Sequence, residues 1–308
     1  MYGEKGTNNM KSKKLLALFL ALLCCVLAFA GCSKEQADQT DDGNGERETL
    51  VVGITDFQPM DYQEDGEWVG FDADMARAFA ESLDMDVEFI EINWDRKVME
   101  LDSGAIDCVW NGMTLNDETL SAMDCSNPYC RNTQVVVMPE EIADQYKDTD
   151  SLKDLTFAVE AGSAGEAEAK KLGLNVTAVD TQARALMEVS AGTSDACVID
   201  MLMAGSMTGA DTSYPDLVHT IILNEEEGET YGVGFKKGSD LTEKLNEFFV
   251  EAYENGTMQE TAEKYGIADA LIPQTGDTQE TTDATQVTEQ TQESDATQAS
   301  ETSAASVA

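Results

Sequence analysis

The chain of 308 residues has little positive charge, and this shortage argues against one large class of partners. It contains 19 Lys and Arg against 60 Asp and Glu, which gives a formal net charge of −41 at pH 7. Such a surface repels the phosphates of nucleic acids. We therefore expect no nucleic-acid partner and a well-solvated surface on the folded part of the chain.

The sequence is also poor in the residues and spacings that form metal sites. The sequence has one histidine, His219, and none of the spacings of its seven cysteines is typical of a metal site. No nucleophile with an adjacent base and no pair of acidic catalytic residues stands out either. We therefore expect a protein that is not an enzyme and that holds neither a metal ion nor a cofactor.

The N-terminus has the pattern of a secretion signal. Lys11–Lys14 is basic, and the apolar run Leu15–Ala30 is shorter than the roughly 20 residues that a membrane-spanning helix needs. The run ends in Phe29–Cys32, which resembles a bacterial lipobox. Residues 1–31 are therefore predicted to be a signal peptide and Cys32 to carry a lipid, on the outer face of the cell membrane. A retained anchor helix is the alternative.

Two polar segments flank the part that is predicted to fold. Residues 32–48 are acidic and lack aromatic side chains, as is typical of a flexible tether. Residues 274–308 are rich in Thr, Gln and Glu and contain no Lys, Arg or aromatic residue. Neither segment has the apolar surface that folding requires, so both are predicted to be disordered.

Four cysteines remain in the folded part. Cys108 and Cys197 lie in apolar strand-like runs and are predicted to be buried thiols. A disulfide between Cys125 and Cys130 is left open.

Strand and helix patterns alternate along the folded part, which predicts an α/β protein with mostly parallel sheets flanked by helices. Strands are predicted at Leu50–Thr55, Asp86–Ile92, Ile106–Trp110, Thr156–Ala161, Val176–Asp180 and Ala196–Asp200, with helices between them. The segment Met99–Asp107 has an echo in Met187–Asp195, since a helix ends at Gly and an Asp opens the next strand in both. The echo favours two lobes of similar topology.

Two extended segments are suited to link these lobes. They are Arg131–Pro139 and Thr230–Gly238. Lobe 1 is then discontinuous, with residues 49–135 and 229–273, and lobe 2 comprises residues 136–228. This arrangement predicts a cleft between the lobes and a hinge of two crossing strands that closes it.

Five blocks give the folded part a resemblance to a known family. They are GFDADMARAFAESL, INWDRKVMELDSGAIDCVWNGMTLNDE, SNPY, VEAGSAGE and YGVGFKKGSDLTEKLNEFF. In this order and spacing they resemble the family 3 extracellular solute-binding proteins, the amino-acid-binding components of ABC importers. The resemblance implies the two-lobe type II periplasmic-binding-protein fold. It also implies a monomeric, lipid-anchored receptor that delivers a small polar solute to a permease and its ATPase.

The resemblance implies ligand-binding residues in lobe 1. Phe57 corresponds to an aromatic residue that packs on the ligand's side chain, with ordinary core packing as the alternative. Gly112 and Thr114, beside Asn111, correspond to residues that offer a backbone N–H and a hydroxyl to the ligand's α-carboxylate and α-amine. Asp72 corresponds to an acidic residue that binds cationic side chains in some relatives, with a helix N-cap as the alternative.

Lobe 2 is expected to supply the opposing groups. By the same resemblance, Ser163 and Ala164 correspond to hydrogen-bond donors, and Asp200 to the carboxylate that pairs with the ligand's α-ammonium. Of the two tryptophans near the predicted cleft, Trp94 is expected to face it. Trp110 is left between the cleft wall and the core.

One position departs from the family pattern. In WNGMTLNDET (Trp110–Thr119), which reads as a polar turn between a strand and a helix, Thr119 stands where the family has an arginine that clamps the α-carboxylate. Three explanations stay open: Arg96 or Arg131 supplies the charge, backbone and hydroxyl donors suffice, or the ligand lacks a free carboxylate. The alternatives in function are a sensing module without a transporter and, on the same scaffold, a dehydratase-like enzyme.

Overall fold

A computed structural model describes residues 47–225 and 228–275. The predicted signal peptide, the predicted lipidation site Cys32, nearly all of the predicted tether and most of the predicted C-terminal tail lie outside these residues. Within the described part of the chain, no helix has the length and apolar character needed to cross a membrane.

The described residues contain thirteen strands and nine α-helices. The strands are β1 Thr49–Ile54, β2 Tyr62–Glu64, β3 Glu67–Val69, β4 Asp86–Glu91, β5 Cys108–Thr114, β6 Asp124–Cys125, β7 Cys130–Asn132, β8 Gln134–Pro139, β9 Thr156–Glu160, β10 Asn175–Val179, β11 Ala196–Asp200, β12 Leu217–Ile222 and β13 Glu229–Phe235. The helices are α1 Phe71–Ser82, α2 Lys97–Ser103, α3 Asp117–Ala122, α4 Glu140–Ala143, α5 Ala164–Lys171, α6 Gln182–Ser190, α7 Met201–Met207, α8 Leu241–Glu254 and α9 Thr257–Lys264.

The first sheet has the order β4-β1-β5-β13-β6, and β7 also pairs with β13. Strands β4, β1 and β5 run parallel, whereas β13 is antiparallel to its neighbours. The apolar side chains of Leu50, Val52 and Ile54 on β1 are fully buried. Strand β1 is therefore central to the core of this lobe, which we call lobe 1.

The second sheet has the order β10-β9-β11-β8-β12. Strands β10, β9 and β11 are parallel, and β8 and β12 complete the sheet in antiparallel fashion. Its strands are also apolar, since Phe157, Val159, Val198 and Ile199 are buried. This sheet forms lobe 2, and the predicted α/β fold with two lobes is confirmed.

The chain passes between the two sheets twice. It leaves the first sheet after Asn132 at the end of β7 and enters the second at Gln134. It returns between β12, which ends at Ile222, and β13, which begins at Glu229. Polar side chains of β7, β8 and β13 therefore lie close to one another where the chain crosses.

Helices α1 and α8 cover the first sheet and bury an aromatic cluster. The ring of Trp110 lies 6.2 Å from that of Phe79 on α1 and 5.8 Å from that of Phe249 on α8. Trp110 is only 1% exposed. It is therefore a core residue of lobe 1 and not part of a cleft wall.

The cysteines of the described residues are all free thiols. Cys108, Cys130 and Cys197 are buried, and Cys125 is half-buried. The disulfide between Cys125 and Cys130 that the sequence left open is thus not formed in the structure.

Candidate functional site

A cavity of about 210 Å³ lies between the lobes. It is bordered by the carboxyl ends of β5, β9 and β11, the position at which open α/β sheets bind ligands. Its lining residues are Trp94, Lys97, Val98, Asn111, Gly112, Met113, Thr114, Asn116, Glu118, Thr119, Glu160, Gly162, Ser163, Ala164, Glu166, Ala167, Lys170, Gln182 and Asp200.

Most of the residues expected at the site are brought together here. Eight of them line the cavity: Trp94, Asn111, Gly112, Thr114, Thr119, Ser163, Ala164 and Asp200. Phe57 and Asp72 do not, because both are buried in lobe 1 behind Gly112. The role that each lining residue can have depends on which of its hydrogen-bond donors and acceptors are not already used within the protein.

Strand β5 reaches further than the sequence suggested. It continues through Trp110 to Thr114, so the polar segment is the end of a strand and α3 begins only at Asp117. The pairing with β13 shifts between Gly232 and Gly234, which leaves Trp110–Gly112 as a bulge. The predicted strand-to-helix turn at Trp110 was wrong because β13 extends the ladder to Thr114.

Gly112 lies in this bulge with a φ of +54°. A Cβ atom there would come within 2.4 Å of the Phe57 ring, so a glycine is required on steric as well as conformational grounds. Phe57 is 1% exposed and packs edge-on against Tyr231 at 6.2 Å. The structure thus places Phe57 in the core beneath the cavity, as the alternative interpretation had it.

The N–H of Gly112 points away from the cavity. It donates to Oδ2 of Asp72 at 2.7 Å, and the hydroxyl of Tyr129 donates to the same oxygen at 2.8 Å. Burial raises the pKa of Asp72 to about 7, although these two hydrogen bonds lower it. Asp72 therefore holds the bulge of β5 in place. It is not the N-cap of α1, a position that Gly70 occupies.

Thr119 is engaged within its own helix start. Its N–H donates to Oδ1 of Asn116 at 3.0 Å, and the N–H of Asn116 donates to Oγ1 of Thr119 at 2.9 Å. This reciprocal pair is a capping box. The hydroxyl of Thr119 also donates to the carbonyl of Thr114 at 3.0 Å. Thr119 therefore offers the cavity little beyond its methyl group.

Two donors on opposite sides of the cavity keep hydrogen-bonding capacity. The hydroxyl of Thr114 makes no hydrogen bond to another described residue, and Oγ of Ser163 only accepts, from the N–H of Glu166 at 3.1 Å. Ala164 is the first residue of α5, where N–H groups lack partners inside the helix. A carboxylate between the lobes can therefore accept hydrogen bonds from both sides.

Asp200 ends β11 with its carboxylate held by neighbouring donors. Oδ1 accepts from the hydroxyl of Tyr231 at 2.7 Å, from Nε2 of Gln134 at 3.0 Å and from Nδ2 of Asn132. Oδ2 accepts from Nε2 of Gln182, which leaves it room for a further donor. Burial raises the pKa of Asp200, and the hydrogen bonds from these neighbours lower it.

Glu229 lies behind Asp200 at the crossing strands. Its Oε1 accepts from Nε2 of Gln134 at 2.6 Å and from Nδ2 of Asn132, and these two amides also donate to Asp200. Burial and the neighbouring Asp200 raise the pKa of Glu229 to about 8. One proton is therefore held near this pair of carboxyl groups at neutral pH.

Two lysines line the cavity: Lys170 forms an ion pair with Glu166 at 2.8 Å, and the second positive charge comes from Lys97 on α2, a residue that was not predicted. Its Nζ donates to the carbonyl of Gly162 at 3.1 Å and lies 4.7 Å from the centre of the Trp94 ring. The two arginines suggested as replacements do not line the cavity: Arg96 is exposed, and Arg131 donates to the carbonyl of Leu271 at 3.0 Å. The charge is thus supplied from another element, but by a lysine.

Glu160 was also missed, although a signal for it is present. It ends the otherwise uncharged strand β9, TFAVE, at the carboxyl edge where ligands bind. The residue is 2% exposed and lines the cavity. A lone carboxylate at the end of a buried parallel strand is a feature that sequence reasoning could have selected.

The lobes contact each other beside the cavity. Besides the bond from Lys97 to Gly162, a Cβ atom at Gly162 would come within 2.8 Å of Cα of Asp95. The hydroxyl of Ser206 in lobe 2 donates to the carbonyl of Gln58 in lobe 1 at 3.1 Å. The two lobes therefore touch each other in the structure, and both line the cavity.

The chemistry of the cavity suits a small solute with groups of both signs. Asp200 and Glu160 are buried acceptors, and Lys97, Ser163 and Thr114 are donors. In the described part of the chain, no three His, Cys, Asp or Glu residues are arranged to hold a metal ion. Binding by hydrogen bonds and charge pairing is what this arrangement provides.

Curated proteins are similar to this chain in sequence. The chain is 26% identical over 260 residues to the arginine-binding extracellular protein ArtP of Bacillus subtilis (strain 168), with 82% of this chain and 98% of ArtP covered. It is 28% identical over 229 residues to the L-cystine-binding protein TcyJ of Escherichia coli (strain K12), with 73% of this chain and 85% of TcyJ covered.

Solved structures show the same fold. An ancestral arginine-binding protein bound to arginine is 31% identical, with a TM-score of 0.63 and coverage of 72% of this chain and 99% of that chain. This likeness confirms the predicted type II periplasmic-binding-protein fold. The family described as bacterial extracellular solute-binding proteins, family 3, matches residues 50–268. The chain belongs to the family 3 bacterial extracellular solute-binding proteins.

Proposed function

We propose that this protein is the extracytoplasmic receptor of an ABC importer and that its ligand is an amino acid. The two lobes close on the amino acid, and the closed form presents it to the permease and its ATPase. The protein acts as a monomer and catalyses no reaction, because differential binding to the closed form is sufficient. The relatives whose names specify arginine or cystine binding support the class of ligand.

The carboxylate of Asp200 is the observation that carries this proposal. It lies in the cavity wall, is 5% exposed, and keeps an acceptor site on Oδ2. An α-ammonium group donates to this oxygen, and Ser163 and Thr114 hydrogen-bond to the α-carboxylate from opposite lobes. Ligand binding thus links lobe 1 to lobe 2 and stabilises closure.

A thermal-shift screen of the full chain, purified in mild detergent, tests this function. An amino acid at 100 times its dissociation constant adds about 2.7 kcal/mol to the free energy of unfolding, which raises the melting temperature. We expect Asp200→Asn to abolish the shift and Asp144→Asn, at an exposed site in lobe 2, to retain it. If no amino acid raises the melting temperature while another class of solute does, the assignment is wrong.

We further propose that the protein is tethered to the membrane by a lipid on Cys32. The basic and apolar segments before this cysteine support the assignment. In cells, the wild-type chain should appear in the membrane fraction, whereas Cys32→Ser should be released or retained unprocessed. Equal membrane association of both chains, with the same mature mass, would contradict lipidation.

A further inference from the structure

Glu160 is a buried carboxylate that the protein itself leaves incompletely paired. Its Oε1 is buried and has no hydrogen-bond partner. Among the described residues, no lysine or arginine lies within 4.0 Å of its carboxylate. An unpaired carboxylate in this environment is costly, so a native structure is expected to supply a partner.

The surroundings of Glu160 differ from those of Asp200. Asp200 has hydrogen bonds from four side chains, whereas the one side-chain hydrogen bond to Glu160 from the described part of the chain comes from the hydroxyl of Thr55. Burial and the charge of Asp200 raise the pKa of Glu160, and the charge of Lys97 lowers it. Of the two acidic residues in the cavity, Asp200 thus has its hydrogen-bond partners within the protein and Glu160 largely lacks them.

A simple zwitterion provides no counterion for an ionised Glu160. Glu166 and Lys170 form an ion pair at 2.8 Å, and Glu118 is exposed to solvent. Lys97 is then the remaining cation of the cavity wall, which also holds two buried carboxyl groups, Glu160 and Asp200. A ligand with one ammonium and one carboxylate pairs with Asp200 and Lys97, so burial keeps the Glu160 carboxyl group protonated and raises its pKa. A ligand with a second cationic group pairs every charge.

We propose that Glu160 binds a second cationic group of the ligand, so that the receptor is specific for amino acids with a positively charged side chain. This inference rests on the proposed function and deepens it. In the complex, Asp200 pairs with the α-ammonium, Lys97 with the α-carboxylate and Glu160 with the side-chain cation. Lys97 has three N–H donors, of which two are used, by the carbonyls of Trp94 and Gly162.

Ligand pairs that differ only in the charge of the side chain provide the test. Arginine is compared with citrulline, and lysine with norleucine, by calorimetric titration of the full chain. We expect arginine or lysine to bind at least about 10-fold more tightly than its neutral partner, since loss of one member of a buried charge pair costs that much or more. Agmatine, which is arginine without its carboxylate, should bind more weakly than arginine by a similar factor.

The variant Glu160→Gln keeps the shape of the side chain and removes its charge. We expect it to reduce the ratio of arginine to citrulline affinity to about 1 while citrulline binding remains. Glu81→Gln is the matched control, because Glu81 is exposed on α1 and the same charge is removed away from the cavity. Its ratio should equal that of the wild type. The melting temperature of each variant reports whether it is folded.

The outcomes separate this inference from the proposed function. If the wild type binds citrulline or norleucine as tightly as the cationic amino acids, the role of Glu160 is wrong and the amino-acid receptor stands. The same holds if Glu160→Gln keeps the wild-type ratio. If agmatine binds and no amino acid does, the proposed function itself fails. Should Glu160→Gln not fold, the wild-type ligand pairs alone decide the specificity.

Discussion

Thr119 and Lys97 together explain how the site differs from the family pattern. The threonine at the position of the expected arginine is used to cap α3, and a cation of the cavity comes from α2 instead. A lysine is a point charge, whereas an arginine grips a carboxylate with two parallel hydrogen bonds. The exchange keeps a positive charge in the cavity but fixes the direction of the carboxylate less strictly.

The cap predicts a separation of stability from binding at Thr119. Thr119→Val keeps the branched shape and removes the hydroxyl, so the N–H of Asn116 and the start of α3 lose a partner. We expect the free energy of unfolding to fall by about 1 kcal/mol, measured by urea denaturation, with ligand affinity changed less than about two-fold.

Ser121→Ala is a suitable control for this substitution. Its hydroxyl lies on the same helix, is exposed, and donates only to the carbonyl of Glu118. We expect a much smaller loss of stability. A large loss of ligand affinity in Thr119→Val with unchanged stability would indicate that the hydroxyl serves the ligand.

Among the secondary-structure elements, the alternation of apolar strands with amphipathic helices could be predicted from the sequence. The predicted strands at Leu50–Thr55 and Ala196–Asp200 correspond to β1 and β11, because short β-branched runs suit buried parallel strands. Helix α2 stops at Gly104 as predicted, since this glycine has a φ of +76°. Local patterns of this kind depend on neighbours in sequence.

The bulge in β5 and the hydrogen bond of Gly112 to Asp72 could not be predicted from the sequence. The bulge depends on pairing with β13, which begins only at Glu229, and the N–H of Gly112 depends on Asp72, 40 residues away in sequence. The roles of Glu160 and Lys97 in the cavity likewise depend on the contact between lobe 2 and α2. The resemblance predicted which strand ends form the cavity, but not which of their donors are already engaged.

Gly162 lies in the turn before α5 and contacts Asp95, which precedes α2. We therefore expect a substitution of Gly162 to affect closure of the two lobes. Gly162→Ala places a Cβ atom 2.8 Å from Cα of Asp95 across the cleft, in a residue whose φ is +73°. We expect ligand affinity to fall at least about 10-fold, because a clash in the closed state weakens any ligand that requires closure. Calorimetric titration measures the change.

Gly192→Ala separates the clash from backbone strain. Gly192 also has a positive φ, of +71°, but a Cβ atom there meets nothing within 4 Å. Both variants should lose about 1 kcal/mol of stability from strain, and Gly192→Ala should retain its ligand affinity. Equal losses of affinity in both would remove the argument for contact across the cleft.

For the whole molecule, buried carboxyl groups determine how stability depends on pH. The pKa values of several are raised by burial: Asp61, Asp72, Glu160, Asp200 and Glu229. Those of Asp72 and Glu229 rise to about 7 and about 8. A carboxyl group with a raised pKa binds its proton more strongly in the folded state, so its contribution to stability is lost as pH rises.

Other carboxyl groups act in a separate range of pH. Hydrogen bonds from the N–H and hydroxyl of Thr156 lower the pKa of Asp195, and Lys170 with the N–H of Gly162 lowers that of Glu166, against the opposing effect of burial. Such groups add stability above their ordinary pKa values, near 4, and lose it in more acidic solution. Between about pH 5 and 8.5 the raised groups therefore dominate.

We expect the ligand-free protein to melt at a higher temperature at pH 5.5 than at pH 8.5, by on the order of 5 °C. Glu229→Gln should reduce this difference, because an amide can donate to Asp200 as the protonated carboxyl group does and does not ionise. Within residues 47–225 and 228–275, the groups that face Glu229 are Asp200, Tyr231 and the amides of Asn132, Gln134 and Asn224, none of which is a cation.

The exposed control Glu81→Gln separates this effect from general repulsion in a chain of net charge −41. Both substitutions remove one negative charge, so repulsion changes equally, but only Glu229→Gln removes a buried proton-binding group. Calorimetric scans of the three proteins at both pH values measure the difference. If Glu81→Gln reduced the pH dependence as much as Glu229→Gln, surface repulsion would account for it. A melting temperature that rises towards pH 8.5 would mean that the buried carboxyl groups are ionised in the folded protein without cost.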